Sequence, residues 1–141
     1  MKKEDYYFRE LVEQVEFNQD SVLLHILSEE TKRHPFYFNL IENIIYASAG
    51  LKLMYGQPVD APPLPYEEFL SNLTVLSDRS NVERMRIRCI HERKTVEFII
   101  HAVRQNDAKQ IRTATICSPL VDRNNTVIGL FGTAKLIEII D

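Results

Sequence analysis

The residue types that perform chemistry are present in this 141-residue chain, but not at spacings that make a catalytic site. There is no Ser/His/Asp or Cys/His arrangement, no pair of carboxylates on one helix face, no metal-spaced cluster and no glycine loop of phosphate-binding pattern. The two cysteines, Cys89 and Cys117, are too few and too isolated for a disulfide framework or a zinc site, and they read as small buried apolar residues. Of the four histidines, His25 and His34 read as surface residues of a helical stretch, while His91 and His101 fall later in the chain. A basic stretch, Arg79, Arg84, Arg86, Arg88, Arg93 and Lys94, is interleaved with Asp78, Glu83 and Glu92 and has no stacking aromatics, so it reads as a solvated helix face. The net charge of −3 likewise lacks the positive field of a nucleic-acid binder.

The elements that would position these residues can be read from periodicity and breakers. Hydrophobic residues are 45% of the chain and charged residues 26%, the balance of one folded domain. No apolar run reaches the roughly 20 residues needed to span a bilayer, so no membrane partner is expected. No apolar run follows the basic pair Lys2-Lys3, so no signal peptide is read and the chain is expected to be cytoplasmic, where the sequons at Asn72 and Asn124 have no meaning.

Residues 1–34 carry Phe8, Leu11, Val12, Val15, Val22 and Ile26 at three- and four-residue spacing, which predicts one or two amphipathic helices ending before Pro35. Phe36–Leu40 and Ile44–Ala47 predict a hairpin, Ala47–Tyr55 a short helix closed by Gly56, and Pro65–Asn72 another short helix after a proline-rich loop. The capping-box spacing of Ser80 and Glu83 opens a helix through His91 that places Val82, Met85 and Cys89 on one side. Thr95–Arg104, Gln110–Pro119 and Thr126–Ile139 predict an antiparallel meander with turns at Asn106-Asp107-Ala108 and Asp122-Arg123-Asn124-Asn125. Strands apolar on both faces require a sheet covered on both sides.

This order resembles the PAS family of sensory domains, and so do several motifs between Pro35 and Ile139. They are Tyr46-Ala47-Ser48-Ala49-Gly50-Leu51 through Gly56, Asp78-Arg79 at the head of the long helix, the two turns, and Gly132-Thr133-Ala134-Lys135-Leu136-Ile137-Glu138 near the end. Leu136 stands where the family's closing aspartate usually lies, and Ala108 replaces a usual turn glycine, so a positive φ there is expected at Asn106 or Asp107 or not at all.

The resemblance implies an α+β fold. Residues 35–141 would form a PAS-like five-stranded antiparallel sheet with short helices on one face, and residues 1–34 a helical cap on the other. It also implies a cavity lined by His101, Thr113, Thr115, Cys117, Met85, Cys89, Leu130, Gly132 and Ala134, with Gly132 and Ala134 leaving room for a ligand. The same residues could instead simply fill the core. The expected function is a non-catalytic sensory or interaction module, homodimeric through Phe8, Leu11, Val12, Val15, Val22 and Ile26, that senses a small molecule or mediates protein–protein association and so regulates an effector domain or partner protein. The alternatives are a haem- or ligand-dependent receptor, and a small cone-shaped α+β enzyme of the ketosteroid-isomerase sort, in which only His101 could be the base. No cofactor is strongly indicated. The family's flavin-attaching Asn-Cys-Arg-Phe-Leu-Gln motif is absent, and His91, the one candidate haem ligand, is followed by Glu92-Arg93-Lys94 as at an exposed helix end.

Overall fold

The computed structural model describes Glu16, Phe17 and residues 33–140. Its framework is an antiparallel sheet of seven strands: β1 (Glu16–Phe17), β2 (His34–Asn39), β3 (Ile44–Ala47), β4 (Leu64–Pro65), β5 (Val96–Val103), β6 (Gln110–Val121) and β7 (Val127–Ile140). The spatial order is β4-β3-β2-β7-β6, and β6 carries β5 along most of its far edge and β1 at its end, beside Leu120 and Val121. The five expected strands are all present, and β1 and β4 are two-residue additions to them. Glu16–Phe17 is a strand where the apolar spacing predicts helix, because the free edge of β6 beyond β5 offers backbone partners that spacing alone does not reveal. The candidate interface residues Phe8, Leu11, Val12, Val15, Val22 and Ile26 lie outside the described residues.

The short helices cover one face of the sheet. They are α1 (Ala49–Met54), a single turn α2 (Tyr66–Glu68) running into a wide π turn at Phe69–Leu73, and α3 (Arg79–Glu92). Local chemistry sets their ends. The Ser48 hydroxyl accepts from Leu51 N–H at 3.4 Å to start α1, and Gly56 leaves it at φ 74°. At Gly56 a Cβ would lie 2.7 Å from the backbone nitrogen of Asn106, so the end of α1 docks directly on the β5–β6 turn, where Gln105 N–H donates to Tyr55 C=O at 2.9 Å. The proline loop is tied down by Lys52, whose buried ammonium donates to the carbonyls of Val59 and Ala61. Asp78 precedes α3 without capping it. Its carboxylate instead accepts the His101 backbone N–H at 2.8 Å and so pins the outer edge of β5. The positive φ of the β5–β6 turn falls on Ala108 itself, at 59°, and corrects the expectation that Asn106 or Asp107 would carry it.

The main core lies between the sheet and these helices, around Phe38, Leu51, Tyr55, Tyr66, Val82, Ile100, Ile111 and Leu130. A second cluster on the opposite face joins Tyr37, Leu120 and Phe131, all buried, with Tyr46 and Ile116. Gly132 faces the helices between β6 and β2, and a Cβ there would lie 2.4 Å from Phe36 Cζ and 2.5 Å from the Ile116 carbonyl oxygen. The ring can swing but the carbonyl belongs to the neighbouring strand, so Gly132→Ala is expected to cost about 1–3 kcal/mol of stability by overpacking. Urea unfolding of the variant measures this, and a loss below about 0.5 kcal/mol would mean the strand spacing is looser than described. Among the described residues, no helix is long and apolar enough to cross a membrane.

Candidate functional site

Between the sheet and the helices the side chains line a partly open cavity of about 80 Å³. Phe36 and Phe38 of β2, Phe98 and Ile100 of β5, Thr115 and Cys117 of β6, and Leu130 and Ala134 of β7 form its sheet wall. Leu51 and Tyr55 of α1, Tyr66 and Phe69, and Val82, Met85 and Arg86 of α3 close the other side. Side chains on a strand alternate between faces, so the pairing of Phe98 with Thr115 and of Ile100 with Thr113 decides what points inward.

Of the sequence-predicted site residues, Met85, Thr115, Cys117, Leu130 and Ala134 line this cavity. Thr113 is buried on the same face, but its hydroxyl shares a 3.2 Å hydrogen bond with the Tyr55 hydroxyl. Cys89 is buried behind the wall, and its thiol donates to the Cys117 carbonyl at 3.5 Å. The contact with Cys89, together with burial, pushes the Cys117 thiol well up, so the Cys117 sulfur stays protonated. Gly132 is not a cavity floor: the Phe36 ring occupies the space its missing side chain leaves.

His101 is the principal correction. It pairs with Arg112 across β5 and β6 and points to the opposite face of the sheet, because a shift of one residue inverts every side chain of a strand. The sequence held a usable signal. Val96, Phe98, Ile100 and Ala102 form an unbroken apolar face, whereas Ile99 and Val103 alternate with Glu97 and His101. With His101 outside, the isomerase alternative loses its base. His91 is exposed near the C-terminal end of α3 and is not part of the cavity wall, so it cannot present a ligand to a group held there.

Sequence reasoning missed Tyr66 and Arg86. Arg86 follows Val82 by four residues and therefore shares its side of α3, a spacing that could have placed it inward. Its guanidinium lies 5.0 Å from the centre of the Tyr66 ring, and its Nη2 donates to Glu83 Oε2 at 3.2 Å. Arg86 Nε and the Thr115 hydroxyl are buried without a protein hydrogen-bond partner. The Tyr66 hydroxyl faces the Glu83 carboxylate and the Arg86 guanidinium, and against the opposing effect of burial its interaction with Glu83 holds that carboxylate below its usual range. Burial first, and the Glu83 carboxylate second, push its pKa far above the ordinary tyrosine range, with Arg86 opposing, so it stays protonated. Each unpaired buried group costs about 1–3 kcal/mol.

No protein-family model matches the chain, and no curated protein matches it by sequence. Solved structures do. A sensory box histidine kinase/response regulator from Burkholderia thailandensis superimposes with a TM-score of 0.65 at 13% identity, over 80% of this chain and 82% of the other. The N-terminal domain of a diguanylate cyclase with a PAS/PAC sensor from Marinobacter aquaeolei gives 0.64 at 14% identity, over 74% and 94%. The PAS domain of a protein from Colwellia psychrerythraea gives 0.62 at 17% identity, over 79% and 97%. This chain therefore has the PAS fold: a curled antiparallel sheet with short helices on one face and a cavity between them.

Proposed function

We propose that the chain is a non-catalytic sensory module whose internal cavity receives a small molecule and whose state is passed to an effector domain or partner protein. The apolar cavity between the sheet and the helices carries this reading, because a concave, mostly apolar pocket is the usual form of a small-molecule site. The PAS fold, shared with parts of a histidine kinase and a diguanylate cyclase, supports it only as analogy. Catalysis is not part of the proposal, since the polar groups on the wall include a cation and a protonated phenol but no general base.

Thermal-shift screening across small metabolites is expected to find at least one that raises Tm in a saturable way. Ala134→Leu, which fills the cavity from a buried position on β7, is expected to abolish that response. A response unchanged in Ala134→Leu would place binding elsewhere.

Assembly is the second element of the proposal: residues 1–34 form a unit that pairs two copies of the chain in a cytoplasmic homodimer. The amphipathic spacing of that segment and the docking of β1 beside the buried Leu120 favour it. Light scattering on the full chain is expected to give a dimer, and deletion of residues 1–32 a monomer or an insoluble product. A monomeric full chain would overturn this element.

A further inference from the structure

The polar groups around the cavity are committed to one another rather than to its interior. The hydroxyls of Tyr55 and Thr113 share a 3.2 Å hydrogen bond, Arg86 Nη2 donates to Glu83, and the Tyr66 hydroxyl faces the same carboxylate. Tyr66 Oη, Arg86 Nε and Thr115 Oγ1 each have almost no accessible surface, so none of them is placed to bond an occupant. What the cavity presents is ring and aliphatic surface, and its accessible lining is almost wholly apolar. Water gains little there, because a buried water is held by about two to four polar partners. The walls are also braced against collapse. Phe38 stacks on Tyr66 at 4.8 Å, Tyr55 meets Phe69 edge-on at 5.8 Å, and Phe36, Phe38 and Leu130 belong to the β2–β7 ladder. The hollow is therefore preformed and partly open, and an occupant gains apolar burial without first separating the core. A volume of about 80 Å³ is near half that of an apolar cavity that accommodates benzene, which limits the occupant to a few heavy atoms.

We infer that this cavity takes a neutral, hydrocarbon-like molecule of about two to four heavy atoms, held by contact with Phe36, Phe38, Phe98, Ile100 and Leu130 and by no hydrogen bond. A carboxylate or amide of that size would give up its bonds to water without replacing them. The inference rests on the receptor reading above and adds the chemical class of the ligand.

Xenon and cyclopropane are titrated into the full chain, with acetamide and sodium acetate as polar probes of similar size and benzene as the size control. Methyl resonances of Ile100, Leu130 and Val82 report occupancy. Cyclopropane is expected to shift them saturably and to bind about tenfold or more tighter than acetamide or acetate, while benzene leaves them unmoved. Ala134→Leu is expected to abolish the shifts. Thr115→Val gives a second measurement that does not depend on whether the Ala134 variant folds. It is expected to keep the cyclopropane affinity within about twofold, because the hydroxyl it removes does not touch the occupant. Acetamide or acetate binding as tightly as cyclopropane, or a loss of about tenfold or more in Thr115→Val, would overturn the inference and leave the receptor reading standing. Saturable benzene binding to the unaltered chain would overturn it through the size limit. If the methyl groups stay silent to every probe, xenon included, the receptor reading falls as well.

Discussion

Replacing Leu130 with alanine is expected to lower the unfolding free energy by about 3–5 kcal/mol. Leu130 is 2% exposed, sits in the first third of β7 between Phe38 of β2 and Pro119 of β6, and borders the cavity. In a closed core the neighbours of a truncated leucine partly collapse into the gap. Here they are held by two strand ladders and by the stacking of Phe38 on Tyr66 at 4.8 Å, so the new void merges with the old one. The cost should therefore lie in the upper part of the range for such truncations. Urea unfolding should show a lower midpoint with an unchanged slope, which separates lost stability from a changed denatured state. The enlarged apolar cavity should also gain a benzene-dependent rise in Tm that the natural chain lacks. Ile137, 51% exposed on the same strand, is the control, and its alanine variant should change stability by no more than about 0.5 kcal/mol. A loss below about 1 kcal/mol at Leu130 would mean that β7 does not present this residue to the core.

The second large effect is alkaline. Burial pushes the Tyr55 hydroxyl up to about 12, against the stabilising hydrogen bond with Thr113. In the unfolded chain the same phenol ionises near 10. Because the folded value is the higher one, the folded state favours the protonated phenol. The corresponding stability is fully present below pH 10 and is lost as pH rises from 10 through 12. A displacement of about two units at about 1.4 kcal/mol each makes this loss about 3 kcal/mol. Tyr55→Phe should be about 1 kcal/mol less stable at pH 7, where it leaves Thr113 without its partner, yet should lose less on going to pH 12. The two stability curves should therefore converge or cross above pH 10. Parallel curves would show that Tyr55 is not buried as described. Tyr66 is also pushed up, so Tyr66→Phe should remove a further part of the alkaline fall, and the two variants separate the contributions.

Both predictions depend on residues whose general role was legible in the chain and on placements that were not. The turn at Asp122 was readable because its chemistry is contained in five residues: the carboxylate accepts the N–H groups of Asn124 and Thr126, and Asn125 takes the left-handed conformation that asparagine tolerates. Ser48 as a helix start and Gly56 as a helix end were readable for the same reason. Leu130, Ala134, Thr115 and Cys117 could be placed on one face because β6 and β7 are long and alternate well.

His101 was misplaced because β5 carries apolar residues on both sides, so its inward face is set by pairing with β6 rather than by its own pattern. Arg86 was misread because most of its basic neighbours do lie on the solvated side. Arg88, for example, bonds to Glu92 at 2.7 Å in the open, whereas Arg86 is turned onto Tyr66. The glycine at position 132 marked a close approach, as its place in a strand suggested. What fills the space is Phe36, nearly a hundred residues earlier in the chain, and no local pattern could supply that partner.

The sequence by itself determined the class of fold, the order of strands and helices, the turn chemistry and the lack of a catalytic constellation. Each of these depends on interactions between residues a few positions apart. Only the tertiary structure decided which face of β5 looks inward, that Tyr66, Arg86 and Thr115 come together around one cavity, and how small that cavity is. Those outcomes belong to contacts between residues 20 to 100 positions apart, whose geometry is set by strand register and close packing rather than by composition or spacing.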